Sequence, residues 1–314
     1  MGRFGFVAKR LAQTVPLLLG IVLVVFLLLQ VTPGDPVRQI VGLRASQAQL
    51  DEVRQQMGLN DSVVTQYVRY VGRLAHGDLG YSYKSLQPIS TMIADRLSVT
   101  LWLMTAGIAL TLLITVPLAI VAALRKERPV DHAIRAGGLV GLSMPAFWTG
   151  LMLILLVALP TGWFPVGGFG ETVPDHLRSI FLPALTLAIG TAPILIRSLR
   201  ASTIAVLGSD YVATGRSIGV SEPRLMRRFV LRNAAISSVT LLALEVGFLL
   251  FGAVIIETTF ALPGVGQGLV LAARGRDLPA VQAYTLLFAL VVVAVYLLAD
   301  IVTALLDPRV EISS

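Results

Sequence analysis

The 314-residue chain contains no cysteine, so disulfides and thiolate metal sites are excluded. Histidine is almost as scarce. His76, His132 and His176 stand far apart without ligand spacing, which argues against a metal centre. Charged residues make up 14% of the sequence, against the roughly 25% typical of soluble domains. No G-x-x-x-x-G-K-[ST] stretch occurs, so the chain has no P-loop to cradle ATP phosphates. H-E-x-x-H and G-x-S-x-G are missing too, which removes the usual zinc-protease and serine-hydrolase signatures. The formal charge is +7, but the basic residues sit between apolar runs and form no stripe interleaved with aromatics. Nucleic acid is therefore not the expected partner.

What is abundant is oil. Hydrophobic residues account for 55% of the chain, more than one water-facing domain can bury. Six stretches reach spanning length: Leu11–Val31, Val99–Leu124, Ala136–Leu159, Ile180–Ile196, Ala234–Ile256 and Val281–Leu306. They are continuous runs and not alternating ten-residue segments, so the expectation is an all-α integral membrane protein and not a β-barrel. The first run follows Arg3, Lys9 and Arg10. It is too long for a signal-peptide core and lacks a small-residue cleavage site, so it reads as an uncleaved helix. Pro117, Pro145, Pro183 and Pro193 fall inside spans, where neighbouring helices can satisfy the freed carbonyls.

The distribution of Lys and Arg sets the expected orientation. With the N-terminus inside, fifteen basic residues fall on the inner side and ten on the outer side. Seven of those ten lie in the long segment 32–98, where the positive-inside rule has little force. Both termini are thus expected in the cytoplasm, with six transmembrane helices between them and the whole chain forming one membrane domain.

Two connections are more than linkers. In segment 32–98, expected outside, Ser46 and Gln49 make a capping box ahead of Leu50, Val53 and Met57. Val64, Tyr67, Val68 and Val71 share one face of a second amphipathic stretch. Segment 197–233, expected inside, is strongly basic yet patterned. Asp210 to Gly219 reads as a short helix with an N-cap region at its start and a C′ glycine at its end. Gly215 and Gly219 would leave one face almost bare, open to the backbone of a partner. Composition alone equally fits a basic loop lying on anionic lipid headgroups.

Carboxylates at membrane depth are costly and mark either pathways or buried structural pairs. Glu245 lies mid-span in the fifth run, facing either a translocation pathway or a neighbouring helix. Glu257 lies at the outer end of the same run, at the interface, and is the second candidate for the translocation pathway, while Asp300 lies near the inner end of the sixth. The Gly-rich connection Leu262–Ala280 resembles a phosphate loop only superficially, since no Lys-Ser pair follows. A turn or partly re-entrant loop at the outer end is expected.

Taken in order along the chain, these pieces carry a resemblance. They are Thr32-Pro33-Gly34-Asp35-Pro36, Gly58-Leu59-Asn60-Asp61, Gly77-Asp78-Leu79-Gly80, Pro145-Ala146-Phe147-Trp148, Leu182-Pro183-Ala184-Leu185, Gly208-Ser209-Asp210-Tyr211, Glu257-Thr258-Thr259-Phe260, Pro263-Gly264-Val265-Gly266 and Asp307-Pro308-Arg309. Together they resemble the B-type permease subunit of dipeptide and oligopeptide ABC importers, whose fold is the type I importer permease. The family's cytoplasmic Glu-Ala-Ala…Gly coupling motif matches Ala213-Thr214-Gly215 and Gly219, with the Glu missing and alanines replaced. The resemblance implies that Asp210, Tyr211, Ala213, Thr214, Gly215, Arg216 and Gly219 dock a cytoplasmic ATPase subunit. It also implies a second homologous permease subunit and an extracytoplasmic binding protein, in the bacterial cytoplasmic membrane. ATP and Mg would sit on the ATPase subunits, and this chain would be no enzyme. The competing expectation is a self-sufficient secondary transporter or channel using Glu245 and Asp300 as ion sites.

Overall fold

In the computed structural model, residues 3–31, 37, 41, 46–56 and 58–306 are described. The Thr32–Pro36 and Asp307–Arg309 motifs, Met57 and the side chain of Asp300 lie outside the described residues. Every regular element among them is helical. α1 (Arg3–Val31) leads to two short helices, α2 (Gln47–Gln56) and α3 (Val63–Ala75). The capping box at α2 is reciprocal: the Gln49 N–H donates to Ser46 Oγ, and the Ser46 N–H donates to Gln49 Oε1 at 2.9 Å. α3 starts at Ser62, whose hydroxyl accepts from the Thr65 N–H. Its aromatic face packs back on α1, with Tyr67 and Tyr70 beside Phe26 and the Tyr67 hydroxyl donating to Leu19 O at 3.0 Å. Burial pushes the Tyr70 hydroxyl up to a pKa of about 12.

The bundle is made by α4 (Ile89–Leu124), α7 (Val173–Leu207), α10 (Leu231–Thr259) and α12 (Leu278–Leu306). Each carries a stretch long and apolar enough to cross a membrane. α4 and α7 form the most extensive pair, α10 lies on α7, and α12 packs on α10 and α1. A bent pair, α5 (Pro129–Ser143) and α6 (Ala146–Thr161), is together apolar and long enough for a further crossing, its two helices meeting at 104°. α1 contains the shorter apolar stretch Ala12–Leu27.

The bend corrects one detail of the Ala136–Leu159 reading: the stretch is not one continuous proline-tolerant helix but is broken at Pro145. Met144, ahead of Pro145, is extended (φ −85°, ψ 127°), as sterics before proline favour, and Pro145 then stands at the N-cap of α6. Pro117, Pro183 and Pro193, by contrast, stay inside continuous helices. Pro193 has no N–H for Ile189 O. The backbone of α5 closes on that carbonyl: a Cβ placed at Gly141 would lie 3.1 Å from it, and one at Gly138 would lie 3.3 Å from Pro193.

Many large apolar side chains of the bundle face outward, among them Leu113, Leu156, Phe248, Phe251 and Leu298. So much apolar surface suits hydrocarbon and not water. The main core lies at the end where α4 begins, around Ile89, Leu103, Ile180, Leu182, Ile256, Phe260 and Tyr284. The opposite end packs through small residues, Ala119, Ala192 and Ala234, with Ile196 and Leu199.

Candidate coupling site and intramembrane carboxylates

Between α7 and α10 the chain leaves the bundle and builds a small projection. α8 (Asp210–Ser217) is followed by α9 (Glu222–Leu225) and by a π-helical turn at Met226–Val230 that runs into α10. α8 stops in a Schellman motif. The Val220 N–H donates to Gly215 O and the Gly219 N–H to Arg216 O, both at 3.0 Å, with Gly219 at φ +82°. Its start is looser than expected. Ser209 occupies the N-cap, but its hydroxyl donates back to Val206 O.

The projection has a core of its own. Val212, Leu225 and Val230 are buried together against Val206, Leu207, Val220 and Met226. Gly215 belongs to this packing: a Cβ there would come within 2.7 Å of Leu225 Cδ1. Its bareness therefore admits a side chain of the same molecule, and the expected open glycine face is covered at that position. The Arg216 guanidinium clamps Glu222 at 2.7 and 3.4 Å, tying α8 to α9 and holding the Glu222 carboxyl below its usual range. The Asn233 amide donates to the Tyr211 hydroxyl at 3.4 Å.

What remains exposed is one face of α8. Asp210, Tyr211, Ala213, Thr214, Arg216 and Gly219 are all exposed, and Ile218 at 75% stands further out than any buried anchor requires. Tyr211, Thr214 and Ile218 recur at i, i+3 and i+7, so they share a stripe. A polar and apolar stripe on a braced helix is suited to insertion in a groove of another protein.

The two pathway candidates part company. Glu245 lies in α10 and is buried to 9% exposure, and among the described residues no donor reaches its carboxylate. Glu257, expected at the interface, is fully buried instead. Thr100 Oγ1 on α4 donates to Glu257 Oε1 at 2.7 Å, and the Gln267 N–H donates to Oε2 at 2.9 Å. Gln267 lies in the first turn of α11 (Val265–Arg274), so the carboxylate plugs the positive end of that helix. The Val265 N–H donates to Thr100 Oγ1, closing the ring. A Cβ at Gly264 would meet the carboxylate at 2.3 Å, and one at Gly266 would meet the Val254 backbone at 2.6 Å and the carboxylate at 2.9 Å, so neither position has room for a side chain. The Gly-rich connection is thus a short helix bolted to α4 and α10.

Two further pairs escaped the sequence reading. Asp277 accepts from Ser82 Oγ and from the Tyr83 N–H, fastening the segment before α4 to the segment before α12. At the other end Arg200 of α7 grips Asp131 of α5 through Nε at 2.7 Å and through Nη2, with Asp131 fully buried. In the sequence Arg200 is one of the fifteen inner basic residues that the positive-inside rule explains without a partner. The signal for its partner was a lone Asp just after a basic cluster, which no pairwise pattern singles out.

The fold defines a polytopic helical membrane protein with a self-packed helical projection between α7 and α10. Residues 3–104 match the N-terminal model of the binding-protein-dependent transport system membrane components, and residues 115–312 match the inner-membrane component itself. The chain belongs to that family, and is a multi-pass inner-membrane protein. It is 35% identical over 98% of its length to the oligopeptide transport system permease protein AppB of Bacillus subtilis (strain 168), covering 99% of that protein. It is 36% identical to the glutathione transport system permease protein GsiC of Escherichia coli O6:H1, over 98% of each chain. In fold it is similar to a chain of the inward-facing MetNI methionine ABC transporter, with a TM-score of 0.57 at 13% identity over 69% of this chain and 96% of that one.

Proposed function

We propose that this chain is the permease subunit of an ATP-driven importer for dipeptides or oligopeptides, working by alternating access with energy from partner ATPase subunits. The observation that carries the reading is full-length likeness to oligopeptide and glutathione permeases, joined to a braced helix that projects from the bundle. Six spans place both termini and α8 in the cytoplasm. A second homologous permease completes the pathway, and an extracytoplasmic binding protein delivers the peptide. The Asp210, Tyr211, Ala213, Thr214 and Arg216 side chains form the ATPase-facing surface. Gly215 and Gly219 shape it from within. When the ATPase pair closes on ATP, a helix with its own core moves as a unit and passes the motion to α7 and α10. Glu245 is the carboxylate assigned to the pathway, where a peptide amino group would meet it.

The test uses the intact assembly, purified by a tag on this chain. Thr214→Arg and Ile218→Glu change only exposed positions of α8, so folding should be unaffected while ATPase co-purification and peptide uptake fall at least about tenfold, as losing about 1.4 kcal/mol implies. If both variants retain the ATPase and transport at the original rate, α8 is not the docking element.

A further inference from the structure

A cavity of about 500 Å³ opens between α5 and α7 at the end of the bundle shared with α8. Two kinds of wall line it. His132, Arg135, Arg197 and Arg200 give the polar end, while Leu139, Leu142, Pro193 and Ile194 give an apolar slope running toward mid-bundle. The lining residues recur along one face of each helix, at 132, 135, 139 and 142 on α5 and at 193, 197 and 200 on α7. Arg200 is spoken for, since Asp131 and Glu127 both lie within 4 Å of it. Glu127 also lies 3.8 Å from His132, and the field of Arg135 reaches Asp131. Among the described residues neither Arg135 nor Arg197 has a carboxylate within ion-pair distance. Three guanidinium groups therefore face two carboxylates, leaving the polar end net positive.

We infer that this cavity is a binding site for one anionic phospholipid, its phosphate held by Arg135 and Arg197 and its acyl chains lying along Leu139, Leu142 and Ile194. The chemistry selects that occupant. A small free anion would use the arginines but leave the apolar slope uncovered, and a zwitterionic lipid would bring a cation to an already positive pocket. The position fits too. The arginines stand at the basic end of the bundle, where an interfacial phosphate lies, and the slope descends into the spanning part of α5 and α7. The pocket wall is fixed by the close approach of Gly138 and Gly141 to α7 and by the buried Asp131–Arg200 pair, so the site is preformed.

The experiment is native mass spectrometry of the intact tagged assembly released from nanodiscs containing phosphatidylglycerol or phosphatidylcholine alone. One phosphatidylglycerol per chain should survive activation that strips the rest, and phosphatidylcholine should not. Arg135→Gln and Arg197→Gln should each weaken retention about fivefold, as removal of one basic residue from a lipid surface does. Arg224→Gln, outside the cavity, should leave it unchanged. Leu142→Trp keeps every charge but fills the slope, and should also expel the lipid. The proposal is overturned if inorganic phosphate displaces phosphatidylglycerol, if Leu142→Trp retains it, or if the arginine variants bind it as well as the parent. It is equally overturned if a photo-crosslinker at Leu139 captures a protein subunit in place of lipid.

Discussion

At the scale of single residues, what decides function here is which polar groups are already satisfied. Glu257 reads in sequence as a carboxylate near a membrane surface. In the fold it accepts from Thr100 and from the N-terminal turn of α11, and its full burial keeps it out of a solute's reach. Replacing it by Gln keeps the shape but turns one acceptor into a donor, which must face either the Gln267 N–H or the hydroxyl of Thr100 that donates to the carboxylate. The expected cost is about 1–3 kcal/mol. A thermal-unfolding scan of the purified protein should show it, while Thr100→Val should cost a similar amount and the double variant less than the sum. Additive losses would mean that the two groups do not act on α11 together. Glu245 presents the opposite case, a buried carboxylate with no donor among the described residues, and it keeps its place as the pathway candidate for that reason.

Helices show how much could be read locally. The capping box of α2 and the C′ glycine of α8 depend on residues three to five apart, and both stand where the sequence puts them. Gly215 differs. Its neighbour in space is Leu225, and periodicity within α8 cannot reveal a contact made after the chain has turned back. Pro145 differs likewise: five prolines lie within apolar runs, and only packing determines which of them ends a helix. The α8–α9 clamp yields a pH prediction. Arg216 lowers the Glu222 carboxyl, so the pair adds stability above the carboxylate's unfolded value of about 4.3 and loses it as pH falls through the lower folded value. Hydrogen exchange across Asp210–Gly219, corrected for intrinsic rates, should therefore quicken from pH 6 toward pH 3.5. Glu222→Gln should be fast throughout and nearly flat. Both groups are exposed, so the effect is small and shrinks with salt. A variant that keeps the same pH response would assign it to another carboxylate.

The whole molecule is organised by its ends. One end is fastened by long polar ties, Glu257 to Thr100 and Asp277 to Ser82, around a core of large side chains. The other packs through alanines and carries the projection, joined to α10 by a π-helical turn. Both ends are tied, the first by Glu257 and Asp277 and the second by the buried Asp131–Arg200 pair, so the alternating access proposed for this chain would move whole helices between tied ends. That argument needs the two ends to face opposite compartments, and the chain allows a direct check because it has no cysteine of its own. Leu50 of α2 is buried, so a reporter belongs on exposed Asn60, and its counterpart on exposed Ser221. With six spans, a membrane-impermeant maleimide added to intact cells should label Asn60→Cys and spare Ser221→Cys. Inverted vesicles should reverse the pattern. Labelling of both from one side would leave an odd number of crossings between positions 60 and 221 impossible, and α8 could not then meet an ATPase in the cytoplasm while α2 and α3 face the binding protein.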